Sequence, residues 1–251
     1  MKITAITTDL VNVPLKTTFK TALRTVDEFD NVLVTVATDS DLCGYGGAAP
    51  TAVITGETIP SILGAIEHIA GAIVGMNLDN HELLFKRLNS CMIGSGSAKA
   101  AVDMALYDLL AKSFDVPLFR LLGGTDKTIE TDITISLDTT EKKGNESKNK
   151  IKDGFSTLKL KVGGDPDEDI KRIESIRDEL GEDIRFRLDA NQGWSAKQAV
   201  YVGLELERRR IPIELMEQPV PARDFKGLRF VRERITFPVF ADESVFSPAD
   251  A

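Results

Sequence analysis

The chain has 251 residues, of which 42% are hydrophobic and 28% charged, and its formal net charge is −8. This composition is typical of an ordinary globular protein with one or two domains, and the negative charge argues against nucleic acid as a partner. No apolar run approaches the roughly 20 residues that cross a membrane, and the first residues alternate like a strand rather than a signal peptide. Cys43 and Cys91 form no CxxC pair, which favours reduced thiols and a cytoplasmic protein.

The first half of the chain predicts a mixture of strands and helices. Alternating apolar and polar residues predict three strands, at 2–15, 31–40 and 42–50. Together these strands are expected to form a small antiparallel meander. Apolar residues at helical spacing predict three helices, at 57–75, 80–90 and 97–114. The last helix has an apolar stripe made of Ala101, Met104, Ala105 and Leu109. Because Gly123 and Gly124 interrupt the pattern, we expect residues 1–124 to form one α+β domain.

After residue 124 the pattern changes to alternating strands and helices. Five strands are predicted, at 129–137, 157–163, 184–190, 211–219 and 237–243. The polar segment 141–154 is expected to be a helical connection. Asp165 and Ser195 are typical N-caps, and each predicts a helix after the strand that precedes it. Such alternation is typical of parallel strands with crossover helices, either in a doubly wound sheet or in a (β/α)8 barrel.

The last residues carry the signals of a helix start. Ser247 and Pro248 are typical of an N-cap and a first turn, and the chain ends three residues later. With five strands out of a possible eight, we expect a C-terminal truncation, so that residues 125–251 form an incomplete barrel domain.

Two lysines lie on one face of the second strand of this series. Lys159 and Lys161 are separated by one residue, which places their side chains about 6–7 Å apart on the same side. An amphipathic strand with a solvated face is the plain explanation for this pair. Each of the next three strands ends with an acid, namely Asp189, Glu217 and Asp242. Parallel strands bring these acids to the same edge as the lysines, where the chemistry of such folds is found.

Three neighbouring carboxylates raise one another's pKa unless a cation compensates them. Taken singly, each acid has a plain explanation in helix capping or turn formation. The set of three beside two lysines favours a metal site instead. Oxygen ligands without His or Cys suit Mg²⁺ or Mn²⁺ rather than zinc, and both histidines, His68 and His81, lie in predicted helices of the first half. A lysine beside a second ammonium group and a divalent cation loses its proton more easily, so it can act as a base.

The motifs TLKLKVGG, DANQGW, EQP and ADES occur in this order along the chain. In this combination the sequence resembles the enolase superfamily, within it the muconate-lactonising subgroup, and most closely the dipeptide epimerases. The resemblance covers the whole chain, and the N-terminal part resembles the capping domain of the family. Enolase-superfamily sites are known to use a Lys or His base with Mg²⁺ to stabilise an enediolate.

The resemblance implies a role for each residue of the predicted site. Asp189, Glu217 and Asp242 would hold Mg²⁺, and the metal would bind the carboxylate of a dipeptide such as L-Ala-D/L-Glu. Lys161 would remove the α-proton, and Lys159 would lower the pKa of its neighbour, contact the substrate and help to stabilise the enolate. Such stabilisation is needed because a proton next to a carboxylate is only weakly acidic.

The resemblance also assigns substrate specificity to loops of the first half. Arg24 would bind the side-chain carboxylate of a glutamyl residue, although a plain surface arginine is the alternative. Residues 46–58 resemble the second capping loop of the dipeptide epimerases. The lysine on the opposite face of the substrate and the aspartates for the dipeptide ammonium group would lie beyond residue 251. We therefore expect the 251-residue chain alone to lack epimerase activity, and the intact protein to form a homo-oligomer.

Other functions share the same residues. A cycloisomerase, an o-succinylbenzoate synthase or an N-acylamino-acid racemase of the same subgroup would keep the lysines and the acids. An inactive fragment, a metal-binding half-barrel without turnover, is the alternative outside the enzymes. Nucleotide binding is disfavoured because residues 94–100 lack the third glycine of a GxGxxG motif.

Overall fold

The structure is a computed structural model that describes residues 1–125, 127–136, 147–181 and 184–251. The chain divides into two compact units. The first contains Met1–Pro14 and Glu28–Thr128, and the second contains Leu15–Asp27 and Ile129–Ala251. In the described part of the chain, no helix is long and apolar enough to cross a membrane.

Three strands form the N-terminal sheet in the order β1–β2–β3: β1 Ile3–Lys20, β2 Thr25–Thr38 and β3 Cys43–Ala48. β2 and β3 are antiparallel, with Val32 opposite Ala48. β1 and β2 extend well past the predicted limits of residues 15 and 31. The added residues are mostly exposed on both faces, so no apolar alternation marks them in the sequence. They form a hairpin tip, residues 15–27, which belongs to the second unit.

The helices of the first unit are α1 Ile59–Ile73, α2 His81–Ser90, α3 Gly96–Ser113 and α4 Leu118–Leu121, with a 3₁₀ turn at Leu78–Asn80. The three predicted helices are confirmed. α3 packs closely on β3, where a Cβ on Gly46 would lie 1.9 Å from the carbonyl oxygen of Ala101. Glycine is therefore needed at this contact. The predicted stripe on α3 is wrong at one position, because Met104 is 44% exposed whereas Ala105 is buried.

A five-stranded parallel sheet organises the second unit, in the order β4–β5–β6–β7–β8. Its strands are β4 Ile133–Ile135, β5 Thr157–Lys161, β6 Arg185–Asp189, β7 Ile213–Glu217 and β8 Val239–Phe240. Its helices are α5 at 147–152, α6 Pro166–Leu180, α7 Ala196–Arg208 and α8 Phe225–Arg232. The predicted α/β fold class, with parallel strands and crossover helices, is confirmed. Within the predicted helical connection 141–154, residues 147–152 are helical and 141–146 lie outside the described residues.

The caps of α6 and α7 are those that the sequence predicts. The Asp165 side chain accepts from the backbone N–H groups of Asp167 and Glu168, while Ser195 and Gln198 form a capping box. At the end of the chain, residues 248–250 form a turn, and Ser247 Oγ donates to Asp250 Oδ2 at 2.9 Å.

The two faces of the parallel sheet differ in character. One face is apolar and packs on the helices through fully buried side chains, which include Leu158, Phe186 and Leu188. Alternation of side chains along each strand places Lys159, Lys161, Arg187 and Asp189 on the opposite face. The apolar layer thus supports a charged face on which Lys161 and Asp189 are the last residues of their strands.

Candidate active site

The strand register places the charged residues next to one another. Lys161 is the last residue of β5 and pairs with Asp189, the last residue of β6. Asp189 in turn pairs with Glu217, the last residue of β7. The carboxyl ends of parallel strands meet at one edge, which brings these side chains together. We call Lys159, Lys161, Asp189 and Glu217 the charged cluster.

Lys161 donates a hydrogen bond within the charged cluster, to Asp189, and another to Asn191 beside it. Its Nζ lies 2.6 Å from Asp189 Oδ2 and 2.9 Å from Asn191 Oδ1. Lys161 is 7% exposed and Asp189 1% exposed, so water screens this ion pair poorly. A buried lysine held by two acceptors has a well-defined position, as a catalytic base requires.

Lys159 bridges two acids. Its Nζ lies 3.0 Å from Asp189 Oδ2 and 2.8 Å from Glu217 Oε2. Burial disfavours the ammonium form, but the hydrogen bonds and charges of Glu217 and Asp189 prevail and raise the pKa of Lys159. Lys159 is therefore a cation placed between two carboxylates.

The pKa values of Asp189 and Glu217 are shifted in opposite directions by this environment. Burial disfavours the Asp189 carboxylate, but the ammonium groups of Lys161 and Lys159 outweigh burial and lower the pKa of Asp189. Burial raises the pKa of Glu217, the hydrogen bond from Lys159 opposes the rise, and the negative charges of Asp189 and Asp242 add to it. Two neighbouring carboxyl groups with opposite pKa shifts are typical of functional sites.

Asp242 lies two residues after the end of β8 and is exposed. It is close enough to Glu217 for its charge to affect the pKa of that carboxyl. Within the described residues, no three side chains of Asp, Glu, His or Cys converge as a metal-binding group. The structure thus brings Asp189 and Glu217 together on either side of the Lys159 ammonium group and leaves Asp242 at the periphery.

The hairpin tip, residues 15–27, lies against the charged cluster. The Phe19 ring centroid is 5.9 Å from Lys161 Nζ, at the outer limit of a cation–π contact. The backbone N–H of Lys20 donates to Ser136 Oγ at 2.6 Å, which ties the tip to the end of β4. Arg24 lies at the turn, where its carbonyl accepts from the Thr21 N–H at 2.9 Å. Among the described residues, Arg24 has no hydrogen bond or ion pair to the charged cluster.

Three polar residues inside the sequence motifs have structural roles that sequence reasoning missed. Asn191, Gln218 and Glu243 are at most 5% exposed, and each follows one of the strand-end acids by one or two residues. Asn191 and Gln218 also have positive φ angles of 41° and 34°. The signal available in the sequence was a polar residue one or two positions after a strand-end acid. It marks loops that are held in a fixed conformation.

Comparison with families of known proteins identifies both parts of the chain. Residues 2–123 match the "Mandelate racemase / muconate lactonizing enzyme, N-terminal domain" family, and residues 145–251 match "Enolase C-terminal domain-like". The L-Ala-D/L-Glu epimerase of Clostridium acetobutylicum is 46% identical over 242 residues, which cover 96% of this chain and 68% of the relative. The L-Ala-D/L-Glu epimerase of Bacillus subtilis is 45% identical, with 100% of this chain and 69% of the relative covered.

Solved structures agree with the sequence comparisons. A substrate-liganded complex of the Bacillus subtilis L-Ala-D/L-Glu epimerase has a TM-score of 0.97 and 44% identity, covering 100% of this chain and 70% of that one. A dipeptide epimerase from Enterococcus faecalis V583, complexed with Mg and the dipeptide L-Leu-L-Tyr, has a TM-score of 0.95 and 40% identity with the same coverage. The chain therefore belongs to the mandelate racemase/muconate lactonizing enzyme family of the enolase superfamily.

Proposed function

We propose that the protein is a Mg²⁺-dependent dipeptide epimerase that inverts the α-carbon next to the carboxylate of substrates such as L-Ala-D/L-Glu. The observation that supports this most directly is the charged cluster, in which a buried lysine lies 2.6 Å from Asp189 at the ends of parallel strands. The relatives that match 96% and 100% of the chain at 46% and 45% identity carry the same activity in their names.

Lys161 is the proposed base for the α-proton. A neutral amine keeps two N–H bonds, which it can donate to Asp189 and Asn191 while its lone pair accepts the α-proton. Lys159, with a raised pKa, remains charged and stabilises the negative charge that develops on the substrate carboxylate. The two lysines thus divide proton removal and charge stabilisation between them.

Asp189, Glu217 and Asp242 are the proposed metal ligands, with Mn²⁺ as a possible substitute for Mg²⁺. The donors fit a hard cation because all three are carboxylates. Asp189 and Glu217 also already share one positive charge, the Lys159 ammonium group, at 3.0 and 2.8 Å. When bound, Mg²⁺ supplies Lewis-acid stabilisation of a substrate carboxylate that becomes an enediolate.

Arg24 is the proposed contact for the side-chain carboxylate of a substrate glutamate. It is half-buried in the hairpin tip, which lies against the end of the charged cluster through Phe19. Its guanidinium group presents several donors in a plane that matches a carboxylate. This role predicts selectivity for acidic C-terminal residues in the dipeptide.

The proposal is tested with protein expressed at the full length of its gene and incubated with L-Ala-L-Glu in deuterated water. We expect L-Ala-D-Glu and α-deuterated substrate to appear with MgCl₂ and to disappear after exhaustive chelation. Glu217→Gln should abolish the Mg²⁺-dependent reaction with an unchanged circular dichroism spectrum. Full activity after chelation would contradict the proposal.

A parallel incubation separates the related functions. N-succinyl amino acids, muconate and the o-succinylbenzoate precursor are the substrates of the alternatives within the subgroup. Faster turnover of any of these than of L-Ala-L-Glu would replace the dipeptide assignment but keep the roles of the lysines.

The remaining expectations belong to the same proposal. Residues 1–124 and 125–251 are proposed as the capping and barrel domains, and the protein is proposed to be a cytoplasmic homo-oligomer without nucleic-acid or membrane partners. Cys43 and Cys91 are both free thiols, which agrees with a reducing compartment.

A further inference from the structure

A chain of buried hydrogen bonds leads from Lys161 to the loop after β8. Lys161 Nζ donates to Asn191 Oδ1 at 2.9 Å, and Asn191 Nδ2 donates to Glu243 Oε1 at 3.1 Å. The exposed fractions of the three residues are 7%, 5% and 3%. Because water is excluded from these contacts, each partner depends on the next for its hydrogen bonds.

The chemistry of the partners fixes the orientation of the Asn191 amide. A lysine side chain only donates, so it faces the amide oxygen, and Glu243 Oε1 accepts from the amide NH₂ group on the other side. A flipped amide would place two donors together on one side and two acceptors on the other. Glu243 therefore holds the amide in the orientation that Lys161 also requires.

Both ends of this chain are held by the backbone around them. The Asn191 backbone N–H donates to Asp189 Oδ1 at 3.0 Å, which holds the Asn191 backbone beside the ion pair. On the other side, Gln218 Oε1 accepts from the N–H groups of Asp242 and Ser244 at 2.9 and 3.2 Å. These two residues flank Glu243, so its backbone is held on both sides.

We propose that Glu243 is a positioning residue for Lys161 and acts through the Asn191 amide. The inference rests on the proposed role of Lys161 as the base, and it adds a residue that is hydrogen-bonded to the Asn191 amide. Glu243 keeps the amide oxygen turned towards Lys161, and the amide then limits where the lysine nitrogen can lie. Without Glu243 the amide can rotate, and Lys161 then loses the fixed acceptor that Asn191 Oδ1 provides.

Glu243→Leu tests the inference, because leucine fills similar space but accepts no hydrogen bond. Deuterium uptake at the α-carbon is measured separately from L-Ala-L-Glu and from L-Ala-D-Glu, with the full-length protein and saturating Mg²⁺. We expect kcat to fall about 10- to 100-fold for the enantiomer that loses exchange in Lys161→Met, with little change in KM. Exchange from the other enantiomer should stay near the wild-type rate.

A charge-conserving exchange of the two side chains provides a rescue. Asn191→Asp keeps an acceptor for Lys161 and tolerates the positive φ, but it places two carboxylates in contact. Adding Glu243→Gln to Asn191→Asp restores an amide–carboxylate hydrogen bond and the original net charge. The single variant should lose exchange on the Lys161 side and the double variant should recover most of it. This pair decides the question if Glu243→Leu does not fold.

Glu233→Leu is the matched control, because it removes an exposed carboxylate next to α8 in the same unit. It should leave both exchange rates unchanged. Equal losses for both enantiomers in Glu243→Leu, or no recovery in the double variant, would overturn the positioning role. If Lys161→Met keeps exchange from both enantiomers, the base assignment itself is wrong, and the positioning role falls with it.

Discussion

The two units of the chain bury different kinds of side chain. Among the described residues of the first unit, the buried polar side chain is that of Thr38, and the rest of the core is apolar. The second unit buries Lys161, Asp169, Asp189 and Glu243 beside its own apolar core. Burying charge is costly unless it is paired, so its concentration in one unit locates the chemistry.

Within the second unit, apolar and charged side chains are also buried in different places. Its apolar core lies between the parallel sheet and the helices, whereas its buried charges lie at the carboxyl ends of the strands or, in the case of Asp169 of α6, against the loop that follows β5. The hydrophobic layer provides the stability, and the loops at the strand ends hold side chains whose pairing would be unfavourable elsewhere. Substituting equivalent residues in both units tests this division directly.

Lys161→Met should have the largest effect on the reaction. Losing a positioned base lowers the rate about 10²- to 10⁴-fold, and the loss should be confined to exchange from one substrate enantiomer. Lys112→Met is the matched change in the first unit, where Lys112 pairs with Asp108. It should leave exchange unchanged. A comparable loss in Lys112→Met would show that the reaction depends equally on both units.

Asp189→Asn should have the largest effect on stability. It leaves the buried Lys161 without its carboxylate, which costs about 3–5 kcal/mol in the free energy of unfolding of the metal-free protein. Asp108→Asn breaks the Lys112 pair in the first unit, where both side chains are partly exposed, and should cost less than about 1 kcal/mol. Urea unfolding at pH 7 measures both values.

The pH dependence gives a second measurement of the same pair. The folded-state pKa of Asp189 is lowered, so its stabilising contribution is complete above the unfolded pKa of about 3.9. That contribution is lost as the pH falls through the lower folded pKa. The stability difference between wild type and Asp189→Asn should therefore shrink below about pH 4. A difference that stays constant with pH would mean that packing, not charge, causes the loss.

Arg24→Ala should have an intermediate and selective effect. A hydrogen bond between charged groups contributes about 1.5–3 kcal/mol, so kcat/KM for L-Ala-L-Glu should fall about 10- to 100-fold. L-Ala-L-Leu has no side-chain carboxylate and should be nearly unaffected. Arg24→Lys keeps the charge but loses the planar donors, and should lie between the two. Equal losses on both dipeptides would contradict the role of Arg24.

The sequence predicted the helices and strands of the second unit more fully than the contacts between the loops at its strand ends. Strand alternation and the caps Asp165 and Ser195 fixed its element order, because these signals are local. It also placed Lys161 beside Asp189, since parallel register follows from strand order. The Asn191–Glu243 contact joins loops 52 residues apart, and no local pattern encodes such a contact. The lengths of β1 and β2 were also missed, because their exposed hairpin tip has no apolar periodicity.

Removing a helix N-cap should give the smallest changes in the free energy of unfolding. The same kind of substitution, a cap residue to alanine, can be made in both units. Asp165 accepts from two backbone N–H groups at 3.1 Å, and Asp165→Ala should cost about 1 kcal/mol. Thr58, the cap of α1, accepts from Ser61 at 3.5 Å, so Thr58→Ala should cost about 0.5 kcal/mol. Asp165→Asn keeps an acceptor and should retain most of the stability.

These caps also test whether the site depends on the helix that follows it. Asp165 lies four residues after Lys161, but Asp169 separately holds the intervening loop through the N–H groups of Gly163 and Gly164 at 3.0 and 2.9 Å. Asp165→Ala should therefore lower the unfolding free energy without changing either α-proton exchange rate. Chemical unfolding and deuterium exchange on the same samples measure both. A fall in exchange on the Lys161 side alone would mean that the cap of α6, and not only Asp169, holds the loop after β5.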